Sequence, residues 1–286
     1  MKKALCIGIN NYPGISNDLK GCVNDANDWA ELLEFANFQI ETILDEKGTK
    51  QNILNALDAL ISNATAGDEI VFTYSGHGTS VLDTSGDEAD EYDEALYVYD
   101  TIILDDELRA IFQKAKQGVN IVVISDSCFS GTVTRALITE TAKPRYVKTE
   151  NIPSTAKLKK RFLSEDDMIE VLLTGCSDSE YSYDAYINNR WNGAMSAYAT
   201  AEIRKGQTYK KLYEKIRAFL PSGEYPQTPQ LEGTNQNKNN IVFATNTEPL
   251  PEPEPEPEYT VWDWIKKYWW VIVLVIIVVI VLWRVL

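Results

Sequence analysis

Between Ala4 and Tyr74 short apolar runs alternate with stretches of helical periodicity, and nothing else in the chain constrains the fold as tightly. Ala4–Ile9 reads as a buried first strand, with Cys6 as one of its core residues. A helix follows over about Ala26–Phe35, with Trp29, Leu32 and Leu33 on one face, and Asn24 or Asp25 stands where an N-cap is expected. Phe38–Leu44 alternates as a second strand, and Thr49–Ile61 repeats Ile53, Leu54, Leu57, Leu60 and Ile61 at helical spacing. Ile70–Tyr74 is β-branched and aromatic, the composition of a buried strand. The order β-α-β-α-β predicts an α/β fold, a mostly parallel central sheet with helices on its faces.

Further strands are expected at Ala95–Tyr99, Val119–Ile124 and Ile169–Thr174, with a possible last one at Asn240–Ala244. Val119–Ile124 has the unbroken apolar run of a central parallel strand. Helices are expected from about Ile103, where Asp105, Asp106 and Glu107 suit the dipole of a first turn, and over Met195–Ile203 and Tyr209–Leu220. Pro221–Asn240 reads as a polar loop, and Arg135–Arg161 as a basic one.

Two strand ends carry chemistry. His77, the only histidine, follows the Ile70–Tyr74 run inside Ser75-Gly76-His77-Gly78, where glycines on both sides let the ring project from a turn. Cys128 follows Val119–Ile124 inside Asp126-Ser127-Cys128-Phe129-Ser130-Gly131, the composition of an exposed turn. In a parallel sheet both emerge at the carboxyl edge, where ligands bind in such folds. An imidazole there could generate a thiolate from Cys128 and then protonate a leaving amine. The backbone amides of Gly78 and Cys128 are candidate donors to the oxyanion of a tetrahedral intermediate. Asp126, two residues before Cys128, shares its face on a strand. A carboxylate beside a thiol raises its pKa, so binding a cationic substrate side chain suits Asp126 better than activating Cys128.

Composition narrows the partners. The net charge is −15, of which −12 lies before Asn246, and such a body repels nucleic acid and attracts basic partners or substrates. The four cysteines, Cys6, Cys22, Cys128 and Cys176, show no CxxC spacing, and one histidine makes a Cys/His zinc site unpromising. The start, Met1–Ile9, reads as a strand and not a signal peptide, which fits free thiols in a reducing compartment. Residues 83–94, dense in Asp and Glu, read either as a solvated loop or as oxygen ligands for a hard cation such as calcium.

Three segments follow from these patterns: a catalytic-type domain over 1–245, a Pro/Glu-rich spacer over 246–260, and an apolar segment over 261–286. Trp269–Trp283 contains fifteen consecutive uncharged apolar residues, flanked by further tryptophans and Tyr268. At ~1.5 Å per residue, Trp269–Leu286 would span roughly 27 Å, enough for a bilayer core. A single C-terminal transmembrane helix is therefore expected, and Lys266-Lys267 place the domain on the cytoplasmic side.

Tyr74-Ser75-Gly76-His77-Gly78 and Asp126-Ser127-Cys128-Phe129-Ser130-Gly131 together resemble the histidine and cysteine motifs of the metacaspases, caspase-fold cysteine peptidases. Cys22-Val23-Asn24-Asp25-Ala26 and Gly175-Cys176-Ser177-Asp178 resemble the family at the matching points in the order, and the likeness covers about residues 3–245. It implies a caspase-like αβα sandwich and hydrolysis after Arg or Lys, with Cys128 and His77 as the catalytic pair. It also implies a basic-residue pocket at Cys22, Asp25, Ser75 and Asp126, and calcium as an activator at positions that Asp93, Asp105 and Asp106 resemble. One departure bears on calcium: Thr134-Arg135 stands where the family has a further aspartate. Self-cleavage accompanies activation in many relatives, and Lys157, Lys159, Lys160 and Arg161 are candidates for it here. No cofactor is needed for the chemistry itself. The expected function is thus a membrane-tethered cysteine endopeptidase; the alternative is a non-enzymatic membrane-anchored scaffold binding basic partners through its acidic face.

Overall fold

A computed structural model describes residues 1–82, 92–128, 139–148, 165, 168–177 and 180–243, apart from the side chains of 15, 82, 92 and 93. In chain order the elements are β1 (Lys2–Gly8), α1 (Cys22–Phe35), β2 (Gln39–Leu44), α2 (Lys50–Ser62), β3 (Glu69–Ser75), β4 (His77–Leu82), β5 (Tyr92–Tyr97), β6 (Ile102–Leu104) and α3 (Asp105–Phe112). They continue with β7 (Asn120–Asp126), β8 (Ala142–Pro144), β9 (Glu170–Thr174), β10 (Tyr183–Ile187), β11 (Arg190–Gly193), α4 (Ala194–Glu202), α5 (Tyr209–Phe219), β12 (Gln230–Glu232) and α6 (Asn235–Lys238).

The central sheet has the order β12-β9-β7-β3-β1-β2, parallel throughout except for the antiparallel edge strand β12. Alternate residues of its strands feed two cores. Ala4, Cys6, Val71, Val122, Ile124 and Leu173 pack with α1, α4 and α5 on one face. Leu5, Ile7, Ile70, Phe72, Ile121 and Val123 pack with α2 and α3 on the other. Helices on both faces make the αβα layering that the alternation of patterns predicts.

Two small antiparallel sheets, β4-β5-β6 and β11-β10-β8, complete the described strands. The first begins where β3 ends: the chain leaves the central sheet at Gly76 and His77 opens β4. A Cβ at Gly76 would lie 2.5 Å from Tyr74 Oη and 2.9 Å from Tyr12 Oη, so glycine is required for the crossing.

Four local expectations change. Helix α1 starts at Cys22 with Gly21 at its N-cap, and Asp25 is turned inward and fully buried instead of capping. The fifth strand is Tyr92–Tyr97, ending before Val98. Asn240–Ala244 forms no named strand over its described residues, which make one isolated bridge, Thr208 to Ile241. Phe243 instead fills the core against Trp29, Phe38 and Tyr209, and the edge of the sheet goes to β12, inside the stretch expected to be loop.

The expected spacer (246–260) and apolar segment (261–286) lie outside the described residues. A bilayer-spanning helix needs about 20 apolar residues. The longest described helix, α1, has 14 residues and an exposed polar face, and no described helix is long and apolar enough to cross a membrane. The membrane anchor and cytoplasmic orientation expected from the sequence are corrected accordingly and are not part of the account below.

Candidate active site

Strands β3 and β7 pair in register with Ser75 opposite Asp126. His77 and Cys128 each lie two residues beyond that pair, so the sheet itself brings them to one edge. Gly78 passes so close to Cys128 that a Cβ built on it would overlap the Cys128 carbonyl.

His77 is almost wholly buried and fixed on every side. Its N–H donates to Tyr12 Oη at 2.9 Å, its carbonyl accepts from Tyr74 Oη at 2.8 Å, and the Tyr12 ring lies 5.0 Å from its own. Nε2 is 2.6 Å from the carbonyl oxygen of Asn17. A carbonyl only accepts, so Nε2 carries the proton and Nδ1 is the basic nitrogen. Nδ1 is buried without a hydrogen-bond partner. Burial lowers the imidazole pKa to about 3, so the ring rests neutral, able to accept a proton at Nδ1.

The Cys128 thiol is fully buried and donates to Ser182 O at 3.1 Å, while the Ser182 N–H points back at the sulfur. No hydrogen bond joins it to His77.

Arg145 occupies the centre of the site. It belongs to the segment read from sequence as a basic loop, yet it is completely buried. Its Nη2 donates to Asp25 Oδ2 at 2.7 Å and Asp184 Oδ1 at 3.1 Å; Nη1 donates to Asp126 O at 3.0 Å and lies 3.7 Å from Asp126 Oδ2. Burial opposes the guanidinium charge, but the anionic groups around it outweigh burial and hold its pKa well above the ordinary value. Burial conversely pushes the Asp25 carboxyl up to about 6, against the lowering effect of Arg145. The Arg145 carbonyl oxygen accepts from Gly78 N–H at 2.9 Å and Cys128 N–H at 3.3 Å, the two amides expected to form an oxyanion hole.

The pocket is built to exclude bulk. A Cβ at Gly193 would collide with Asp126 Oδ2 and Arg145 Nη1, and one at Gly175 would sit 2.7 Å from Asp126 Oδ1. Gly193 N–H donates to both Asp25 oxygens, and Ser196 N–H, in the first turn of α4, donates to Asp126 Oδ2 at 2.8 Å. Of the four expected pocket residues, Asp25 and Asp126 contact the guanidinium. Cys22 and Ser75 are buried and make no hydrogen bond to it. Beside the pocket a cavity of about 440 Å³ is lined by residues including Asp18, Lys143, Pro144, Tyr181 and Trp191.

Sequence reasoning missed Asp184, Arg145, Asn17 and Tyr12 as parts of this site. Asp184 had a usable signal: Asn188 and Asn189, both at positive φ, make the turn of the β10-β11 hairpin, and Asn-Asn between short strands marks such a turn. Of the calcium candidates, Asp105 and Asp106 open α3, and Asp105 Oδ2 lies 3.4 Å from Arg109 Nη2. The Asp93 side chain is outside the described residues. Among those described, no group of three or more His, Cys, Asp or Glu could hold a metal. Asp105 is engaged by Arg109, and Thr134-Arg135 stands where the family has a further aspartate, so no step below runs through calcium. Lys157, Lys159, Lys160 and Arg161 also lie outside the described residues.

Residues 2–136 match the family model described as "Metacaspase, peptidase C14 domain". The chain is 31% identical to metacaspase-1 of Meyerozyma guilliermondii over 85% of its length and 72% of that protein's. It is 33% identical to metacaspase-1 of Cryptococcus neoformans, over 85% and 64%. Among solved structures it resembles a Geobacter sulfurreducens protein (TM-score 0.66, 25% identity, 85% of this chain and 98% of that one). It also resembles caspase-1 of Spodoptera frugiperda (TM-score 0.53, 13% identity, 81% and 86%), a likeness of fold alone. The parallel sheet, the paired histidine and cysteine turns and these relatives agree: the chain belongs to the metacaspases, caspase-fold cysteine endopeptidases.

Proposed function

We propose that this endopeptidase cleaves after Arg or Lys, with Cys128 as nucleophile and His77 as general base and then general acid. The observation that carries the reading is the seating of Arg145, whose side chain lies among three buried carboxylates while its carbonyl oxygen accepts from Gly78 and Cys128. Three buried carboxylates facing one another repel, and a cation between them relieves that repulsion. An acidic side chain would add a fourth negative charge, so Asp is refused where Arg is accepted. The guanidinium fork meets Asp25 and Asp184 from one nitrogen and Asp126 from the other, a geometry a lysine ammonium cannot match, so Arg is preferred over Lys.

In the reaction Cys128 Sγ turns from Ser182, gives its proton to His77 Nδ1 and bonds the substrate carbonyl carbon. The oxyanion settles on the Gly78 and Cys128 amides. His77 then protonates the departing amine, and a water activated by the same nitrogen hydrolyses the thioester. Asn17 O fixes the tautomer that leaves Nδ1 available for both transfers. Fluorogenic peptides varied at the residue before the cut test the reading: turnover after Arg and Lys, none after Asp, and none with Cys128→Ala.

A further inference from the structure

Lys143, Pro144 and Arg145 run antiparallel to β10, with Lys143 opposite Asp184 and Pro144 opposite Tyr183. Arg145 N–H donates to Ser182 O at 2.9 Å. Beyond the site Val147 N–H donates to Gly78 O at 3.1 Å, and Thr79 Oγ1 donates to Val147 O at 2.6 Å. The backbone is thus gripped on both sides of a single peptide bond, Arg145–Tyr146, and that bond's carbonyl is the one held by the Gly78 and Cys128 amides. Two residues before Arg145, Lys143 Nζ donates to Asp18 O at 2.7 Å and Ser16 O at 3.2 Å. Asn17, between them, supplies the carbonyl that orients His77.

We propose that Lys143–Tyr146 is an internal substrate cut between Arg145 and Tyr146, and that its contacts prescribe the external consensus: Arg before the cut and a cationic residue two positions earlier, held by the carbonyls of Ser16 and Asp18. The proposal rests on the roles given to Cys128 and His77 above. The Cys128 sulfur bonds the Arg145 carbonyl carbon as its proton passes to His77 Nδ1. The Arg145–Tyr146 C–N bond breaks, and that proton moves to the Tyr146 nitrogen. One water then cleaves the thioester, leaving a carboxylate on Arg145 and restoring the thiol. No oxidant, metal or cofactor enters the balance.

Two consequences distinguish this from cutting by a neighbouring molecule. Site and bond share one chain, so the rate does not depend on concentration. Until the bond is cut Arg145 fills the pocket, so peptide turnover lags behind the cut. A third concerns the cation two positions before Arg. It engages the same turn, Ser16–Asp18, that positions His77, so its loss lowers kcat as well as raising KM.

The test uses the full chain. Mass spectrometry and N-terminal sequencing should show a new N-terminus at Tyr146-Val147-Lys148, formed at a rate unchanged over about a tenfold range of protein concentration. It should be absent with Cys128→Ala or Arg145→Gln and retained with Arg145→Lys. Turnover of acetyl-Lys-Pro-Arg should exceed that of acetyl-Glu-Pro-Arg about tenfold or more in kcat/KM, with part of the difference in kcat. Turnover of Arg peptides by a chain whose Arg145–Tyr146 bond stays intact would overturn the internal substrate and leave the proposed function standing. A concentration-dependent cut would also overturn it, and equal rates for the two peptides would overturn the assigned consensus. Neither cut nor turnover would overturn both readings.

Discussion

Asp25→Asn is the substitution that most cleanly isolates the charge of the pocket. Asp25 is fully buried, and its Oδ2 lies 2.7 Å from a guanidinium nitrogen in the arrangement seen with Arg145. Asparagine keeps the shape and one carbonyl-type oxygen for Gly193 N–H, which Asp25 Oδ1 holds at 2.9 Å, so the fold retains most of its local bonds. What is removed is one charge of a buried pair, a loss of about 3–5 kcal/mol, which corresponds to a fall on the order of 10²–10⁴ in kcat/KM for Arg peptides. The pH profile adds a second readout. Burial pushes the Asp25 carboxyl up to about 6 even with a cation beside it, and protonation removes the negative charge the substrate needs. Without that cation the pKa lies higher still, so the wild-type kcat/KM should fall as pH drops, along a limb at or above about 6. His77, lowered to about 3, does not titrate in that window. Asp25→Asn should lack this acid limb. For folding the sign is opposite: a raised carboxylate pKa contributes stability at acid pH that is lost as pH rises through about 6. The assay is kcat/KM for one Arg peptide from about pH 5 to about pH 8, wild type against variant, with circular dichroism to verify folding. Wild-type-like kcat/KM in Asp25→Asn, or an unchanged acid limb, would refute the assignment.

Other perturbations follow from single contacts. His77→Gln should lower kcat by on the order of 10²–10⁴, read by steady-state turnover, because no other described group offers a buried basic nitrogen at this edge. Gly78→Ala drives a Cβ into the Cys128 carbonyl and should cost about 10²–10³ in kcat with a smaller change in KM. Asp184→Asn puts an amide group against the Lys20 N–H, accepted at 2.8 Å, or against the Gly21 N–H and Arg145 Nη2, accepted at 2.9 and 3.1 Å; urea unfolding should show a loss of roughly 1–3 kcal/mol at unchanged m. Activity in EGTA should equal that in calcium, since Asp105 already faces Arg109; loss of turnover on chelation would show that the acid positions act after all.

The central sheet was legible because its strands are buried on both faces, and continuous β-branched runs such as Val119–Ile124 have few alternatives to a parallel core. His77 and Cys128 were legible for the same reason: each closes such a run, and parallel pairing brings both to one edge. Asp126 followed from its spacing to Cys128. Arg145 could not be read that way, because its meaning depends on carboxylates 120, 19 and 39 residues away along the chain, on three different elements. In isolation it is a lysine-rich loop's arginine. Asn17 contributes a backbone carbonyl, which leaves no trace in side-chain chemistry. Asp25 was placed at a helix start correctly, yet the cap went to Gly21, and its inward turn reflects a partner the local sequence does not show. The short, half-polar strands β8, β10, β11 and β12 lack the length and periodicity that marked the core, and the first three carry the far wall of the site.

The claim that joins all of these is that Cys128 attacks the carbonyl of a basic residue held by Asp25, Asp126 and Asp184. A peptide library varied only at the residue before the cut, run with the wild type and with Cys128→Ala, tests it directly. The account predicts hydrolysis after Arg, less after Lys, none after Asp or uncharged residues, and none at all in the variant. Turnover after Asp, or equal turnover in Cys128→Ala, would contradict it.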